Sequence, residues 1–228
     1  MKSQTTVKVL GEFLGTAVLV ATVVGSGIMG TALSQDLGVA LFINAVSTIL
    51  VLGVLIFVFL PISGAQFNPA VTMIMALKKE ITPALAMTYA AAQIVGGILG
   101  AAVANTMFGA PALQISHNAR DSYGLLLGEV IATAGLIFII LLTVARGEAA
   151  KLSILVPAWI GAAYFFTSST SFANPAVTIA RMFTDSFSGI APSSVLFFVI
   201  AQLLGALLGW AGATLFLTPS TQKETQNV

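Results

Sequence analysis

The 228-residue chain has no cysteine, one histidine (His117) and only 7% charged residues. Without cysteine there is no disulfide, no thiolate metal site and no thiol nucleophile. One histidine makes no cluster, and no nucleophile stands beside a base at a recognisable spacing. No metal, no cofactor and no enzymatic chemistry are therefore expected. His117 lies in the polar Ser116–Ser122 stretch and reads as a solvated loop residue. A net charge of +1 gives no argument for nucleic acid. Soluble domains carry about 25% charged residues. A chain that is 57% hydrophobic, with a mean hydropathy of +1.01, falls outside that class. Its apolar runs are long and unbroken, which excludes an alternating outer-membrane barrel and leaves an all-α membrane protein in the lipid bilayer.

Six spans fit the hydropathy, at about 8–30, 38–60, 83–107, 123–145, 152–168 and 193–217. The first run, about Val9 to Met29, is too long for a signal-peptide core and lacks a clear cleavage site, so it reads as a retained span. Between spans two and three, and again between five and six, stands the same triplet: Asn68-Pro69-Ala70 and Asn174-Pro175-Ala176. Each is followed by a short apolar stretch, Ala70 to Leu77 and Ala176 to Phe183. A nine-residue helix is ~14 Å long against a hydrocarbon core of ~30 Å. The spacing predicts two re-entrant half-helices, not spans.

The two halves repeat. Gly11-Glu12 in span one matches Gly128-Glu129 in span four, and Gln93 in span three matches Gln202 in span six. Three spans per half is an odd number, so the second half lies upside down relative to the first. That makes one domain over 1–228, with inverted pseudo-repeats at about 7–108 and 122–218 and a site at the midplane between them. With the N-terminus inside, Lys2, Lys8, Lys78, Lys79, Arg146, Lys151 and Lys223 fall on the cytoplasmic side, and Arg120 and Arg181 outside. Both termini are then cytoplasmic. Gly11/Gly15, Gly96/Gly100 and Gly205/Gly209, each pair four residues apart, predict close helix approaches.

Asn is a favoured helix N-cap and Pro a favoured first helical residue. The side-chain oxygens of Asn68 and Asn174 are expected to cap the half-helices while their NH2 groups face a lumen. Two positive helix ends at one level would repel cations. The residues ahead of each Asn, Gly64-Ala65-Gln66 and Thr170-Ser171-Phe172, are non-helical at membrane depth. Such backbone survives only where it is buried in protein or lines a wet cavity, so its carbonyls are expected to form a ladder of acceptors along a pore. Glu12 and Glu129 are carboxylates inside apolar spans. Matched positions favour bracing of the two loops, aided by Gln93 and Gln202. The alternative is an ion-coupled secondary transporter that uses Glu12 or Glu129.

These matched residues resemble the major intrinsic protein superfamily, the aquaporins and aquaglyceroporins, over nearly the whole chain from Gly11-Glu12 to Gln202. The resemblance implies an aquaporin-like fold with one pore per subunit, in a homotetramer of an inner (plasma) membrane. It also implies a four-position constriction at Thr48, Ala162, Ser171 and Val177. The family usually carries Arg where this chain has Val177, so all four positions are small or apolar here. Arg181, one helical turn beyond, is the candidate for a displaced substitute, but it is expected to lie further from the constriction, toward the outer end of the half-helix. Gln66 stands where the family commonly has His, and little is expected of that change. A wider, less polar opening implies passage of small neutral solutes beside water: glycerol and other polyols, urea and metalloid hydroxides such as arsenous acid.

Overall fold

The structure, a computed structural model, describes residues 4–217, and among these it is helical with no strand. Six helices are long and apolar enough to cross a membrane. In chain order α1 is Gln4–Leu33, α2 Leu37–Ser63, α3 Pro69–Leu77, α4 Pro83–Met107, α5 Tyr123–Ala145, α6 Leu152–Phe166, α7 Pro175–Arg181 and α8 Pro192–Phe216. A 3-10 turn at Ala149–Lys151 leads into α6. The short α3 and α7 are the two half-helices, each opening on Asn-Pro. Lys2, Lys223 and the end of the second repeat at 218 lie outside the described residues.

Most starts follow local chemistry. Asp36, Thr82 and Ser122 cap α2, α4 and α5 through side-chain oxygens. Pro stands at the start of α3, α4, α7 and α8, where its missing N–H costs nothing. The second half-helix ends at Arg181, two residues short of the expected Phe183. The outer loop explains this: Ser116 N–H bonds the Met182 carbonyl at 3.0 Å and Gln114 N–H the Phe183 carbonyl at 3.2 Å, which draws both residues out of the helix.

The packing repeats as the sequence does. Helix α1 packs on α4 and α2, and α5 correspondingly on α8 and α6. The halves join where α2 meets α6, α7 meets α4 and α3 meets α8. At the α2–α6 contact, Pro157 has no N–H for the Ser153 carbonyl. Gly53 lets α2 approach that oxygen, which would sit 3.0 Å from any Cβ at this position. Between spans of a half the approach is closer still. A Cβ on Gly96 or Gly100 would run into the Phe13 and Ala17 carbonyl oxygens, and one on Gly205 or Gly209 into those of Val130 and Ala134. In lipid, association depends on such close packing rather than on water exclusion.

Gly100→Leu should therefore separate α1 from α4 and cost about 1–3 kcal/mol or more, the range for overpacking a dense contact. Thermal melting in detergent, followed by size-exclusion chromatography, measures it. Gly124→Ala is the control, since its Cβ would meet only Ser168 Oγ at an ordinary 3.7 Å.

Candidate pore

The half-helices meet tip to tip, and their asparagines tie the two halves together. Asn68 Oδ1 accepts from Ala70 N–H at 2.9 Å, while its Nδ2 donates to the Ala173 carbonyl at 2.7 Å. Asn174 Oδ1 accepts from the N–H groups of Ala176 (2.9 Å) and Val177 (3.2 Å), and its Nδ2 donates to the Phe67 carbonyl at 2.8 Å. The caps are as expected, but the amides are not simply free. An NH2 group has two donors. Each asparagine commits one to the opposite loop and keeps one for the lumen.

The loops ahead of the asparagines alternate in backbone conformation. Ala65 and Phe67 have φ of 48° and 47°, and Ser171 and Ala173 have 51° and 48°, in the left-handed region that non-glycine residues avoid. Residues held there cost of order 1 kcal/mol each and persist where their surroundings enforce them. The enforcing groups are the buried carboxylates. Glu12 accepts from Ser63 Oγ (2.6 Å), Gln66 N–H (3.0 Å), Phe67 N–H (2.6 Å) and Gln93 Nε2 (2.8 Å). Glu129 accepts from Phe172 N–H (2.9 Å), Ala173 N–H (2.8 Å) and Gln202 Nε2 (2.6 Å). Gln93 and Gln202 also donate to Thr72 and Thr178 on the half-helices, at 3.0 and 2.7 Å. Neither glutamate is exposed at all, and neither lines the cavity.

A cavity lined by residues of both halves extends past both asparagines. Its walls differ in character. One side is the loop backbone of Gly64, Ala65, Gln66 and Phe67, then Ser171, Phe172 and Ala173. The other is built of apolar stripes, including Leu52, Ile56 and Leu60 of α2 and Leu152, Val156 and Ile160 of α6. Phe67 and Ala173, absent from the expected ladder, also line the cavity, and their carbonyls accept from Asn174 and Asn68. Their apolar side chains carry no sign of that; only their place next to the asparagines does. Thr170, expected in the ladder, is not among the lining residues. It sits in the turn that closes α6, with its N–H toward the Thr167 carbonyl at 3.4 Å.

Of the four expected constriction residues, Thr48, Ser171 and Val177 line the cavity and Ala162 does not. Ala162 is exposed on the outside of α6. The lining stripe of α6 repeats every fourth residue and ends at Tyr164. A residue two positions away is turned by about 200° and faces the other way. Tyr164 takes the position instead, its hydroxyl donating to Thr48 Oγ1 at 3.2 Å. Arg181 is the second correction. It lines the same cavity, is 3% exposed, and its guanidinium carbon lies 3.4 Å from the centre of the Phe172 ring. Gln66 accepts from Thr72 Oγ1 at 2.7 Å, which holds its side chain at the lumen with the amide nitrogen still available.

Outside the membrane-spanning part, the loops at the Arg120 end are clasped. His117 donates its backbone N–H to Asp185 Oδ1 at 3.0 Å, and its ring Nδ1 lies 3.0 Å from Oδ2. These bonds, the backbone one first, hold the Asp185 carboxyl below its usual range. Their contribution is present above the ordinary carboxylate pKa and lost as pH falls through the lowered one. His117 is thus exposed but not merely solvated.

Two half-helices capped toward each other, within six spans and beside a cavity that passes both asparagines, have the architecture of a membrane channel. The family model for the major intrinsic protein matches residues 1–173. The chain belongs to the major intrinsic protein family, whose aquaporins and aquaglyceroporins are channels and not enzymes. It is 45% identical over 211 residues to aquaglyceroporin AqpS of Rhizobium meliloti, covering 92% of this chain and 90% of that one. A probable aquaporin, TIP2-2 of Oryza sativa subsp. japonica, is 30% identical over 67% of this chain and 62% of its own length. Among solved structures, the aquaglyceroporin from Plasmodium falciparum superposes with a TM-score of 0.73 at 20% identity, over 94% of this chain and 96% of that one.

If the carboxylates hold the loops, Glu129→Leu should cost about 1.5–3 kcal/mol for each charge-assisted bond left unmade. Glu129→Gln, which keeps an acceptor, should cost less. Melting temperature and solute flux per folded protein, read together, should fall in that order.

Proposed function

We propose that the protein is a passive channel for small uncharged solutes: water, glycerol and other polyols, urea, and metalloid hydroxides such as arsenous acid. The observation that carries the reading is the two-sided lumen. Both loops and the two asparagines border the cavity, and aliphatic side chains of α2 and α6 make up much of the rest; in this reading the loop carbonyls and asparagine amides form its polar edge. A polyol has hydroxyls along one edge and C–H groups along the other, and such a wall replaces its hydration on the first while tolerating the second. The likeness to an aquaglyceroporin over most of both chains supports the same solute class.

Val177 sets the size range in this reading. Where the family usually has a guanidinium, the wall carries a short aliphatic group, opposite Thr48, Tyr164 and Ser171. Deleting a fork of donors leaves a less polar opening with more room. The subunits assemble as a homotetramer in an inner (plasma) membrane, with both termini cytoplasmic, the side on which Lys8, Lys78, Lys79, Arg146 and Lys151 then lie. Glu12 and Glu129 brace the loops and couple no ion, since their oxygens are occupied by loop N–H groups and glutamine amides.

Swelling of proteoliposomes in glycerol, urea and arsenous acid tests this directly. Flux should be bidirectional, near-linear in concentration and indifferent to a proton gradient. Saturation at low solute together with gradient dependence would sink the proposal in favour of a transporter. Val177→Arg should reduce glycerol and arsenous acid flux by ~10-fold, the factor that ~1.4 kcal/mol of added barrier imposes, with a smaller effect on water. Unchanged flux of the bulky solutes would mean that Val177 does not set the constriction.

A further inference from the structure

We propose that Arg181 is the charge filter of this pore: the guanidinium missing after Ala176 is delivered from one helical turn further along α7. The inference rests on the channel reading above and adds a specificity-determining residue to it.

Helix geometry makes the substitution possible. Residues four apart share a face, so Arg181 follows Val177 along the lumen side of α7, and both line the cavity. A helical side chain leans toward the N-terminus and covers the turn before its own Cα. The arginine stem therefore carries its guanidinium back from the outer end of α7 toward the constriction. The contacts show where it arrives. The guanidinium carbon stands 3.4 Å from the centre of the Phe172 ring, and Phe172 is the residue after Ser171 in the constriction wall.

The group is held in place without being neutralised. Its Nε donates to the Ser188 carbonyl. Ser188 is itself anchored, its Oγ donating to the Val23 carbonyl at 2.9 Å. Among the described residues, no carboxylate lies within ion-pair distance of Arg181, and its two terminal nitrogens have no protein partner. Ser171 Oγ, 3% exposed, is likewise without a partner. An unpaired cation and a residue with an unpaired, buried hydroxyl thus line the same cavity. A second cation, Arg120, stands on the same ring, 5.0 Å from its centre, and donates to the Gly189 carbonyl at 3.1 Å.

This arrangement separates two tasks that one arginine after Ala176 would combine. Val177 leaves the wall open there, while Arg181, lying along Phe172, places positive charge beside the path. Neutral solutes can use its free donors, and cations and protons meet an uncompensated like charge in a region poor in water.

The test is proton flux through proteoliposomes under an imposed membrane potential, read with an entrapped pH dye and divided by water permeability in the same vesicles. R181Q should raise that ratio about tenfold or more, R181K should restore it toward wild type, and the double variant V177R/R181Q should restore it also. An unchanged ratio in R181Q, or an R181K as leaky as R181Q, would overturn the assignment. If R181Q does not assemble, R181M keeps the stem without the charge and takes its place. Failure of both to give a water-conducting protein would show a structural role and count against the charge filter. A wild-type protein that passes no neutral solute defeats the channel reading itself. One that passes solutes while R181Q stays proton-tight defeats this inference alone.

Discussion

Everything in the pore depends on keeping backbone non-helical at membrane depth. Without water to satisfy it, an extended loop in the bilayer must find its partners in the protein. Here Glu12 and Glu129 supply them, each accepting two consecutive loop N–H groups and a glutamine amide. The carboxylates take the N–H side, and the asparagine amides take the carbonyls of Phe67 and Ala173. The left-handed residues Ala65, Phe67, Ser171 and Ala173 are the conformational cost of that division. A charge buried in an apolar span is expensive, yet it is the group that can hold several donors at once at a strained loop.

The same division explains why the lumen has two faces. Each loop contributes one edge of the cavity, and the helices contribute aliphatic lining stripes. The asparagines join the two edges. Each caps its own half-helix and binds the carbonyl of the opposite loop, Asn68 to Ala173 and Asn174 to Phe67. The midplane is therefore one closed network rather than two helix ends that happen to meet. A change in either loop will be felt by the other.

The architecture was legible in the sequence because it rests on covalent order. Six apolar runs, two Asn-Pro-Ala triplets and matched Glu and Gln positions need only be read along the chain, and each reappears in the structure. The constriction was less legible because it depends on rotation about helix axes and on side-chain reach. The resemblance implies Ala162, whereas the lining stripe Leu152, Val156, Ile160 and Tyr164 turns Ala162 away from the cavity. Arg181 was underestimated by its Cα position. No spacing rule reports that its side chain returns along the helix to Phe172. Thr170, expected in the ladder, shares its positive φ with Ser171 but is not among the residues lining the cavity.

Those misplacements share a cause with consequences for the wall as a whole. A helical stripe fixes which residues face the lumen, but long side chains decide at which level their functional groups act. Tyr164 sends its hydroxyl to Thr48, so a bulky residue stands where alanine was expected and its polar end is tied to the wall. Arg181 sends its charge toward the N-terminus of α7. Removing the family's usual arginine therefore does not by itself make the outer wall apolar. The wall still offers the Tyr164, Thr48 and Ser171 hydroxyls and a guanidinium lying along Phe172, arranged around an aliphatic gap at Val177. In the proposed reading, width and charge fall to different residues, Val177 and Arg181, which lets one vary without the other.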